Sequence, residues 1–197
     1  MNYLAHAYLS FEHPEILAGN MISDFVKGSS KFGYTATIQK GIVLHKAIDA
    51  FTDVHPATKK AKEIFRPHYR LYSGAIMDIL YDHYLANDEN IFTSSTLKIF
   101  SSSVYETLEE QNSFLPPRFS HMLTYMKLED WLCHYRTKEG MQKSLKGLVR
   151  RAAYLNESET AYQLFLDNYT FLQDCYDRFF PDVKVFAKEQ FNELLSN

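Results

Sequence analysis

The segment GIVLHKAIDAFTDVHP, residues 41–56, places three side chains of the metal-binding type at intervals of four residues. His45, Asp49 and Asp53 lie in a run whose apolar residues repeat with the spacing of an α-helix. Residues four apart share one face of a helix, so His45 and Asp49 are expected to point the same way. Imidazole and carboxylate ligands together suit Mn, Fe, Zn or Mg ions. The same pair could equally be an ordinary hydrogen-bonded pair on a helix surface.

The first 83 residues contain further groups of the same kinds, namely His6, Asp24, Asp78, Asp82 and His83. Asp78 and Asp82 share a face of one predicted helix, and His83 lies about 100° around it from Asp82. Neither cysteine of the chain is near them, which argues against a structural zinc site. A mixed His and Asp set from several helices is typical of a metal site that keeps positions open for water and substrate.

Each of these residues also has a structural interpretation. Asp82 and His83 lie beside residues expected to be buried, so a core imidazole paired with one carboxylate would explain them. Asp78 could orient a metal-binding imidazole or be exposed without a role. Asp53, three residues before Pro56, could cap the next helix as readily as take part in catalysis. The convergence of three such helices on one pocket would favour a metal site.

The elements that must position these residues are predicted to be helices. The chain of 197 residues is 46% hydrophobic, has only seven glycines and six prolines, and does not sustain an apolar and polar alternation. This predicts an all-α, single-domain helical bundle over residues 1–197. Helices are expected near 14–28, 37–51, 72–88, 95–112, 117–135, 138–154 and 158–178, with a short one after Pro181. Residues 27–37 are expected to form a loop at the rim of the site.

Composition and charge exclude several classes of protein. Net charge is −3, and the mild basic excess of residues 1–75, nine Lys or Arg against six Asp or Glu, is no nucleic-acid-binding stripe. No apolar run is long enough to cross a membrane, and the N-terminus does not resemble a signal peptide. The two cysteines, Cys133 and Cys175, suit a reducing compartment. We therefore expect a cytoplasmic protein with no nucleic acid or membrane as partner.

Six short blocks, in order along the chain, carry a resemblance to a known family. They are MNYLAHAYLS, AGNMISDFVKG, GIVLHKAIDAFTD with HP after one residue, MDILYDHYLA, PPRF and WLCHYR. From residue 1 to about residue 140, the chain resembles the bacterial acyl carrier protein phosphodiesterases, also called acyl carrier protein hydrolases. These are described as unusual relatives of the HD phosphohydrolases, helical proteins in which His and Asp hold one or two divalent metals. The resemblance thus implies an HD-phosphohydrolase-like fold.

The activity that this resemblance implies is hydrolysis of the phosphodiester that joins 4'-phosphopantetheine to a serine of holo acyl carrier protein. The apo carrier protein is released, and Mn²⁺ is the usual metal, with Mg²⁺ or Fe²⁺ as alternatives. The metal ligands implied at matching positions are His6, Asp24, His45, Asp49, Asp82 and His83. The adjacent residues Asp82 and His83 depart from the superfamily pattern, because HD proteins have the order His-Asp at this pair.

Residues with a direct part in the reaction are also expected near these ligands. Asp24 and Asp78 are candidates to orient water, and Lys46 is a candidate to stabilise charge on the phosphate. Lys27, close to Asp24 in sequence, is a candidate for binding the substrate phosphate. Carrier proteins are acidic along the helix after the modified serine, so a basic docking surface would steer their approach. The segment KSLKGLVRR supplies such cations with no acidic residue, namely Lys143, Lys146, Arg150 and Arg151.

Two other functions fit the same residues. An HD-like hydrolase of a small phosphate ester or nucleotide would use the metal site but not the basic segment. An inactive module that binds a carrier protein would keep the helical bundle without the chemistry, although the number of candidate ligands argues against it. The sequence predicts neither the oligomeric state nor the number of metals.

Overall fold

The structure is a computed structural model that describes residues 1–196, and over that range it contains α-helices and 3₁₀ turns but no β-strand. The all-α prediction is confirmed, and the likeness to HD phosphohydrolases stays a prediction. The α-helices, numbered in chain order, are α1 Tyr3–Tyr8, α2 Pro14–Ile22, α3 Ala36–Val54, α4 Pro56–Tyr69, α5 Ser73–Asn87, α6 Ser94–Glu110, α7 Pro117–Leu128, α8 Trp131–His134, α9 Lys138–Arg151, α10 Glu159–Asp167 and α11 Tyr169–Ser196. Over the same range, no helix is both long enough and apolar enough to cross a membrane.

Most of the 41–56 segment lies in α3, and α4 follows it. Each of these two helices is preceded by a residue whose side chain accepts a hydrogen bond from a free backbone N–H group. The Thr35 side chain accepts a hydrogen bond from the N–H of Ile38 at 3.2 Å and so caps α3. At α4, Nδ1 of His55 accepts a hydrogen bond from the N–H of Ala57 at 3.2 Å, and Pro56 occupies the first turn. Asp53 therefore does not cap α4, and its carboxylate instead lies 2.6 Å from the Lys62 ammonium.

Several predicted helices differ from the structure. Helices α1 and α4 were not predicted, and the helices expected over 117–135 and 158–178 are each divided in two. The helix expected over 14–28 ends at Ile22, and Asp24 lies in a separate 3₁₀ turn, Ser23–Phe25. Pro181 lies inside α11 and does not separate two helices. A proline within a helix costs about 3 kcal/mol, but Phe180 and Val183 on either side of it are buried in the core. Burial of apolar side chains on both sides offsets that cost and keeps α11 continuous.

Helices α2 and α3 pack backbone against backbone, and this contact positions the candidate site. A Cβ atom on Gly19 would stand 2.1 Å from the carbonyl oxygen of Ile38, and one on Gly41 would stand 2.4 Å from that of Ile16. Only glycine permits such an approach at these two positions. The contact brings the end of α2 beside the middle of α3, where His45 lies.

Candidate functional site

A group of two histidines and one aspartate lies where α1 meets α3. The ligand atoms of His6, His45 and Asp49 all lie within 4.8 Å of one another. The two imidazole rings stack with their centroids 3.9 Å apart. Nε2 of His6 is 3.2 Å from one oxygen of Asp49, and Nε2 of His45 is 3.1 Å from the other. The structure thus brings α1 and α3 together at one small polar centre. We call His6, His45 and Asp49 the His/Asp cluster.

Two other predicted carboxylates border the His/Asp cluster. Oδ1 of Asp24 lies 3.5 Å from Nε2 of His45, and the Asp24 side chain is 78% exposed, so it stands at the mouth of the site. Oδ1 of Asp78 lies 3.0 Å from the N-terminal nitrogen of Met1, which is also 3.2 Å from Asp49. The structure therefore places Asp24 at the solvent side of the cluster and Asp78 on the far side of the Met1 nitrogen.

Three buried ring nitrogens of the cluster, both of His6 and Nε2 of His45, have no hydrogen-bond partner among the described residues. Oxygens of Asp49 nevertheless lie 3.2 Å from Nε2 of His6 and 3.1 Å from Nε2 of His45. A buried polar atom without a partner costs about 1–3 kcal/mol, so three in one place require an explanation. Lone pairs of imidazole and an adjacent carboxylate are a ligand set for Mn²⁺, Fe²⁺ or Zn²⁺. The residues present fit a divalent metal.

Asn20, at the α2–α3 contact, fixes the orientation of His45. Its Nδ2 donates to the carbonyl oxygen of His6 at 3.0 Å and to Oγ of Ser10 at 3.1 Å. Its Oδ1 therefore faces Nδ1 of His45, 3.2 Å away, and that nitrogen must carry the hydrogen. When His45 loses its second proton, the lone pair of Nε2 faces the cluster, which is the tautomer that a metal ligand needs. Sequence reasoning missed Asn20, although it lies in the AGNMISDFVKG block.

Burial and mutual contact set the charges of the cluster. Burial lowers the pKa of His6 to about 4, and the neighbouring His45 adds to this effect. Burial opposes protonation of His45, but the carboxylates of Asp24 and Asp49 beside it raise its pKa to about 9. Burial also opposes ionisation of Asp49, yet both imidazoles hold its pKa well below the usual range. The neighbouring His45 lowers the pKa of Asp24. At neutral pH, His6 is neutral, both carboxylates are ionised, and His45 carries a proton that a metal ion would have to displace.

The carboxylate of Asp82, a predicted metal ligand, contacts backbone N–H groups at the start of the chain. Its Oδ2 accepts a hydrogen bond from the N–H of Leu4 at 2.7 Å, and its Oδ1 accepts from those of Asn2 and Ala5 at 3.3 and 3.2 Å. Burial raises the pKa of this carboxyl to about 7, and these backbone donors partly offset the effect. Asp82 thus fixes the first turn of α1, the helix that carries His6 into the cluster.

His83 likewise has partners outside the His/Asp cluster. Its Nδ1 lies 2.7 Å from the carbonyl oxygen of Tyr135, and its Nε2 lies 3.0 Å from the hydroxyl of Tyr169. Burial lowers its pKa to about 4. Because both ring nitrogens have these partners, His83 joins α5 to the residue that follows α8 and to the start of α11. Metal binding by Asp82 and His83 stays a prediction.

The two predicted lysines of the site are exposed. Lys46 follows His45 on α3, and Lys27 follows Asp24 by three residues. Neither side chain forms an ion pair or a hydrogen bond with the part of the chain that the structure describes. Both remain free to meet an anionic substrate near Asp24.

The four predicted cations of α9 line one cleft. The cleft has a volume of about 640 Å³ and runs between α9, the α7–α8 region and the first residues of the chain. Its charged and aromatic lining comprises Lys143, Lys146, Arg150, Arg151, Glu129, Tyr3, Tyr125, Trp131, His134 and Tyr135. Burial raises the pKa of Tyr3, while Arg151 lowers it and Asp24 raises it. Tyr3 lies one turn before His6 on α1, so the Tyr3 end of the cleft is near the helix turn that contributes His6 to the His/Asp cluster.

Known proteins resemble this chain over most of its length. The family model described as "Acyl carrier protein phosphodiesterase" matches residues 1–183. A relative of that name from Enterobacter sp. (strain 638) is 31% identical over 191 residues, which cover 96% of this chain and 99% of the relative. A second, from Photorhabdus laumondii, is 28% identical over 182 residues, or 92% of each chain. A third, from Yersinia pestis, is 30% identical over 182 residues, or 92% of this chain and 94% of the relative. No solved structure matches the chain.

Proposed function

We propose that this chain, which belongs to the acyl carrier protein phosphodiesterase family, hydrolyses holo acyl carrier protein at the His/Asp cluster. The products are the apo carrier protein and 4'-phosphopantetheine. One observation carries the assignment of the site, namely that the buried, unpaired ring nitrogens of His6 and His45 face the ionised carboxylate of Asp49. Such a centre suits a phosphodiesterase, because the uncatalysed attack of water on a charged phosphodiester is slow and a metal centre accelerates it.

We propose a divalent metal as the cofactor, Mn²⁺ first, with Mg²⁺ or Fe²⁺ as alternatives. His6, His45 and Asp49 would hold it, and Asp24 lies close enough to His45 to contribute. With a metal bound, these residues would hold an ion whose chemistry is to lower the pKa of water and draw charge from phosphoryl oxygens. Asn20 keeps the hydrogen of His45 on Nδ1, and so keeps Nε2 available.

Hydrolysis breaks the bond between phosphorus and the serine oxygen and forms a bond between phosphorus and the oxygen of water. The water loses a proton, and the serine oxygen gains one. Asp24 is ionised and exposed at the mouth of the site, so we assign to it the acceptance of the proton from water. Asp78 is separated from the cluster by the Met1 nitrogen, so its role is to support that side of the site.

The exposed cations around the site suit an anionic substrate. Lys46 follows His45 on α3 and Lys27 lies three residues after Asp24. We propose that both offset charge on the phosphate as the serine oxygen departs. The basic residues on the outer face of α9, with Lys143, Lys146 and Arg150 exposed, would attract an acidic carrier protein to the same side of the molecule.

The test is to incubate the purified protein with holo acyl carrier protein and Mn²⁺ and then measure the intact mass of the carrier protein. We expect its mass to fall by that of the phosphopantetheine group, and we expect a chelator to stop the reaction until Mn²⁺ is restored. An unchanged mass, together with hydrolysis of a small phosphodiester, would support the small-ester hydrolase instead. An unchanged mass with stable binding of the carrier protein would support an inactive binding module.

A further inference from the structure

We propose that the cleft along α9 binds the 4'-phosphopantetheine arm, with the phosphate at the Tyr3 and Arg151 end and the rest of the arm extending toward Trp131. This inference rests on the proposed function, and it specifies where on the protein the substrate group lies. Nothing in the proposed chemistry at the His/Asp cluster requires this particular cleft, so the two can fail separately.

The position of the cleft supports this assignment. Tyr3 lies in the first turn of α1, and His6 lies one turn further along the same helix. The Tyr3 hydroxyl lies 3.5 Å from Sδ of Met122, another residue of the cleft lining. Arg151 and Asp24 both act on this hydroxyl electrostatically. Because Arg151 and Tyr3 line the cleft together and Tyr3 lies one turn before His6, a phosphate at this end would have a cation beside it and would lie close to the helix turn that carries His6.

The lining has the chemistry that such an arm requires. A phosphopantetheine arm carries an anion at one end and a chain of amides and methyl groups behind it. Of the charged side chains that line the cleft, four are cations and one, Glu129, is an acid whose carboxylate accepts from Nε1 of Trp131 at 3.1 Å. Outside the lining, Glu139 lies 3.3 Å from Lys143. Aromatic rings, Met122 and the hydroxyl of Ser144 supply apolar surface and hydrogen-bonding groups along the walls.

The size of the cleft favours an extended arm over a helix of the carrier protein. Small-molecule sites measure about 300–1,000 Å³, and this cleft, at about 640 Å³, lies within that range. An α-helix 10–12 Å wide fills roughly 500 Å³ per turn, so the cleft would hold only about one turn. The carrier protein itself is therefore expected to contact the exposed rim, while its arm enters the cleft.

Gly147 offers a way to close the cleft without disturbing the fold. It lines the cleft on α9, and a Cβ atom there would meet no atom within 4 Å. A larger side chain at this position would occupy the space of the ligand and not that of the protein. Replacing a glycine inside a helix also favours the helix. Gly147→Phe is therefore a blocking variant that should remain folded.

Trp131 is the only tryptophan in the sequence and lines the cleft, so its fluorescence reports occupancy directly. The experiment titrates 4'-phosphopantetheine, pantetheine and inorganic phosphate separately into the Mg²⁺-supplemented protein. We expect a saturable change with 4'-phosphopantetheine and at least about 10-fold weaker binding of pantetheine, which lacks the phosphate. Arg151→Ala should weaken 4'-phosphopantetheine binding by about 10-fold or more, and Gly147→Phe should abolish it. Arg178→Ala, at an exposed position on α11 away from the cleft, is the matched control and should bind like the wild type.

Equal affinity of the wild type and Gly147→Phe for 4'-phosphopantetheine would overturn the inference. A fluorescence change with apo carrier protein but none with 4'-phosphopantetheine would also overturn it, because the carrier protein surface would then occupy the cleft. The same samples are assayed for turnover of holo acyl carrier protein. Wild-type kcat/KM in Gly147→Phe would refute the cleft and leave the proposed function intact. Saturable binding of 4'-phosphopantetheine without any turnover would refute the proposed function and support the cleft.

Discussion

At the scale of single residues, His45 is held from both sides. Asn20 faces its Nδ1, whereas Asp24 and Asp49 lie against its Nε2. The first contact decides which nitrogen carries the hydrogen, and the second decides where the free lone pair points. The affinity of the site for a metal should therefore depend on Asn20, which need not touch the metal itself.

Replacing Asn20 tests this dependence. Asn20→Leu has similar volume but no acceptor for Nδ1 of His45, and we expect Mn²⁺ to bind about 10- to 100-fold more weakly. Asn20→Asp keeps an acceptor and should recover part of the affinity. Titration of Mn²⁺ followed by electron paramagnetic resonance measures the free ion directly. Asn168→Leu, which removes an amide bonded to the backbone of α10, is the control and should bind Mn²⁺ normally. Wild-type affinity in Asn20→Leu would refute the positioning role.

His83 provides a second prediction, which concerns stability. Burial lowers its pKa to about 4, whereas an imidazole in the unfolded chain has its ordinary pKa of about 6.5. Below pH 6.5 the unfolded state therefore binds a proton that the folded state does not, and stability falls as the pH falls toward 4. In His83→Gln this contribution is absent, so the difference in unfolding free energy between wild type and variant should shrink over that range. Urea unfolding at several pH values measures it.

Two outcomes would contradict this account of His83. A stability difference that does not change between pH 6.5 and 4 would show that the folded imidazole titrates normally. Loss of Mn²⁺ binding in His83→Gln, with helical content retained, would instead support the ligand role predicted from the sequence.

The sequence predicted the site residues to different extents for physical reasons. His45 and Asp49 could be paired because helical spacing alone puts them on one face. Asn20 could not, because its role depends on contacts with His6, Ser10 and His45 that only the folded chain creates. The adjacent pair Asp82 and His83 was chemically suitable for a metal, but sequence does not show that backbone and tyrosine groups are already bound to them.

At the scale of elements, the α2–α3 contact determines whether the His/Asp cluster can form. Gly19 and Gly41 allow the two backbones to touch, and Asn20 and His45 meet across the same contact. A side chain at either glycine would meet backbone atoms, which cannot move aside as a flexible side chain can. Separation of the helices would pull Asn20 away from His45.

Two glycine substitutions provide a matched comparison. Gly147→Ala lies in open space inside a helix and should stabilise the protein by about 0.5–1 kcal/mol. Gly41→Ala would place Cβ 2.4 Å from the Ile16 carbonyl oxygen and should destabilise by roughly 1–3 kcal/mol while weakening Mn²⁺ binding. Urea unfolding and Mn²⁺ titration measure the two effects. Equal stability of the two variants would show that the α2–α3 contact is looser than described.

The positions of α2, α3, α5, α6 and α9 followed from apolar periodicity, whereas α4, which contains Pro67, was not predicted as a helix. The predicted helix over 37–51 corresponds to α3, Ala36–Val54, because capping residues and a proline define both of its ends. Pro181 indicated an interruption in α11, but tertiary packing of its neighbours outweighed the local cost. The rule that proline ends a helix considers only the local backbone, and it therefore misses the burial of neighbouring side chains that keeps α11 continuous.

At the scale of the whole molecule, charge is distributed unevenly although the net charge is only −3. The basic residues of α9 line the cleft that we propose for the substrate arm. Complementary charges of this kind increase the rate of encounter with an acidic partner more than they increase its final affinity.

Reversal of one exposed charge tests this steering. Arg150→Glu should raise KM for holo acyl carrier protein by several-fold at low salt, with little change in kcat. The effect should decrease at high salt, because the screening length falls from about 10 Å at 0.1 M to about 3 Å at 1 M. Arg178→Glu carries the same charge change on α11 and serves as the control. A KM that does not depend on salt or on Arg150 would place the docking surface elsewhere.

The proposed mechanism depends above all on a divalent metal bound at His6, His45 and Asp49. An anomalous difference map from crystals of the protein grown with Mn²⁺ would locate this metal. We expect a manganese peak within bonding distance of the imidazole nitrogens of His6 and His45 and of the Asp49 carboxylate. A peak bound instead by Asp82 and His83, or no peak at His6, His45 and Asp49 under conditions that support turnover, would contradict it.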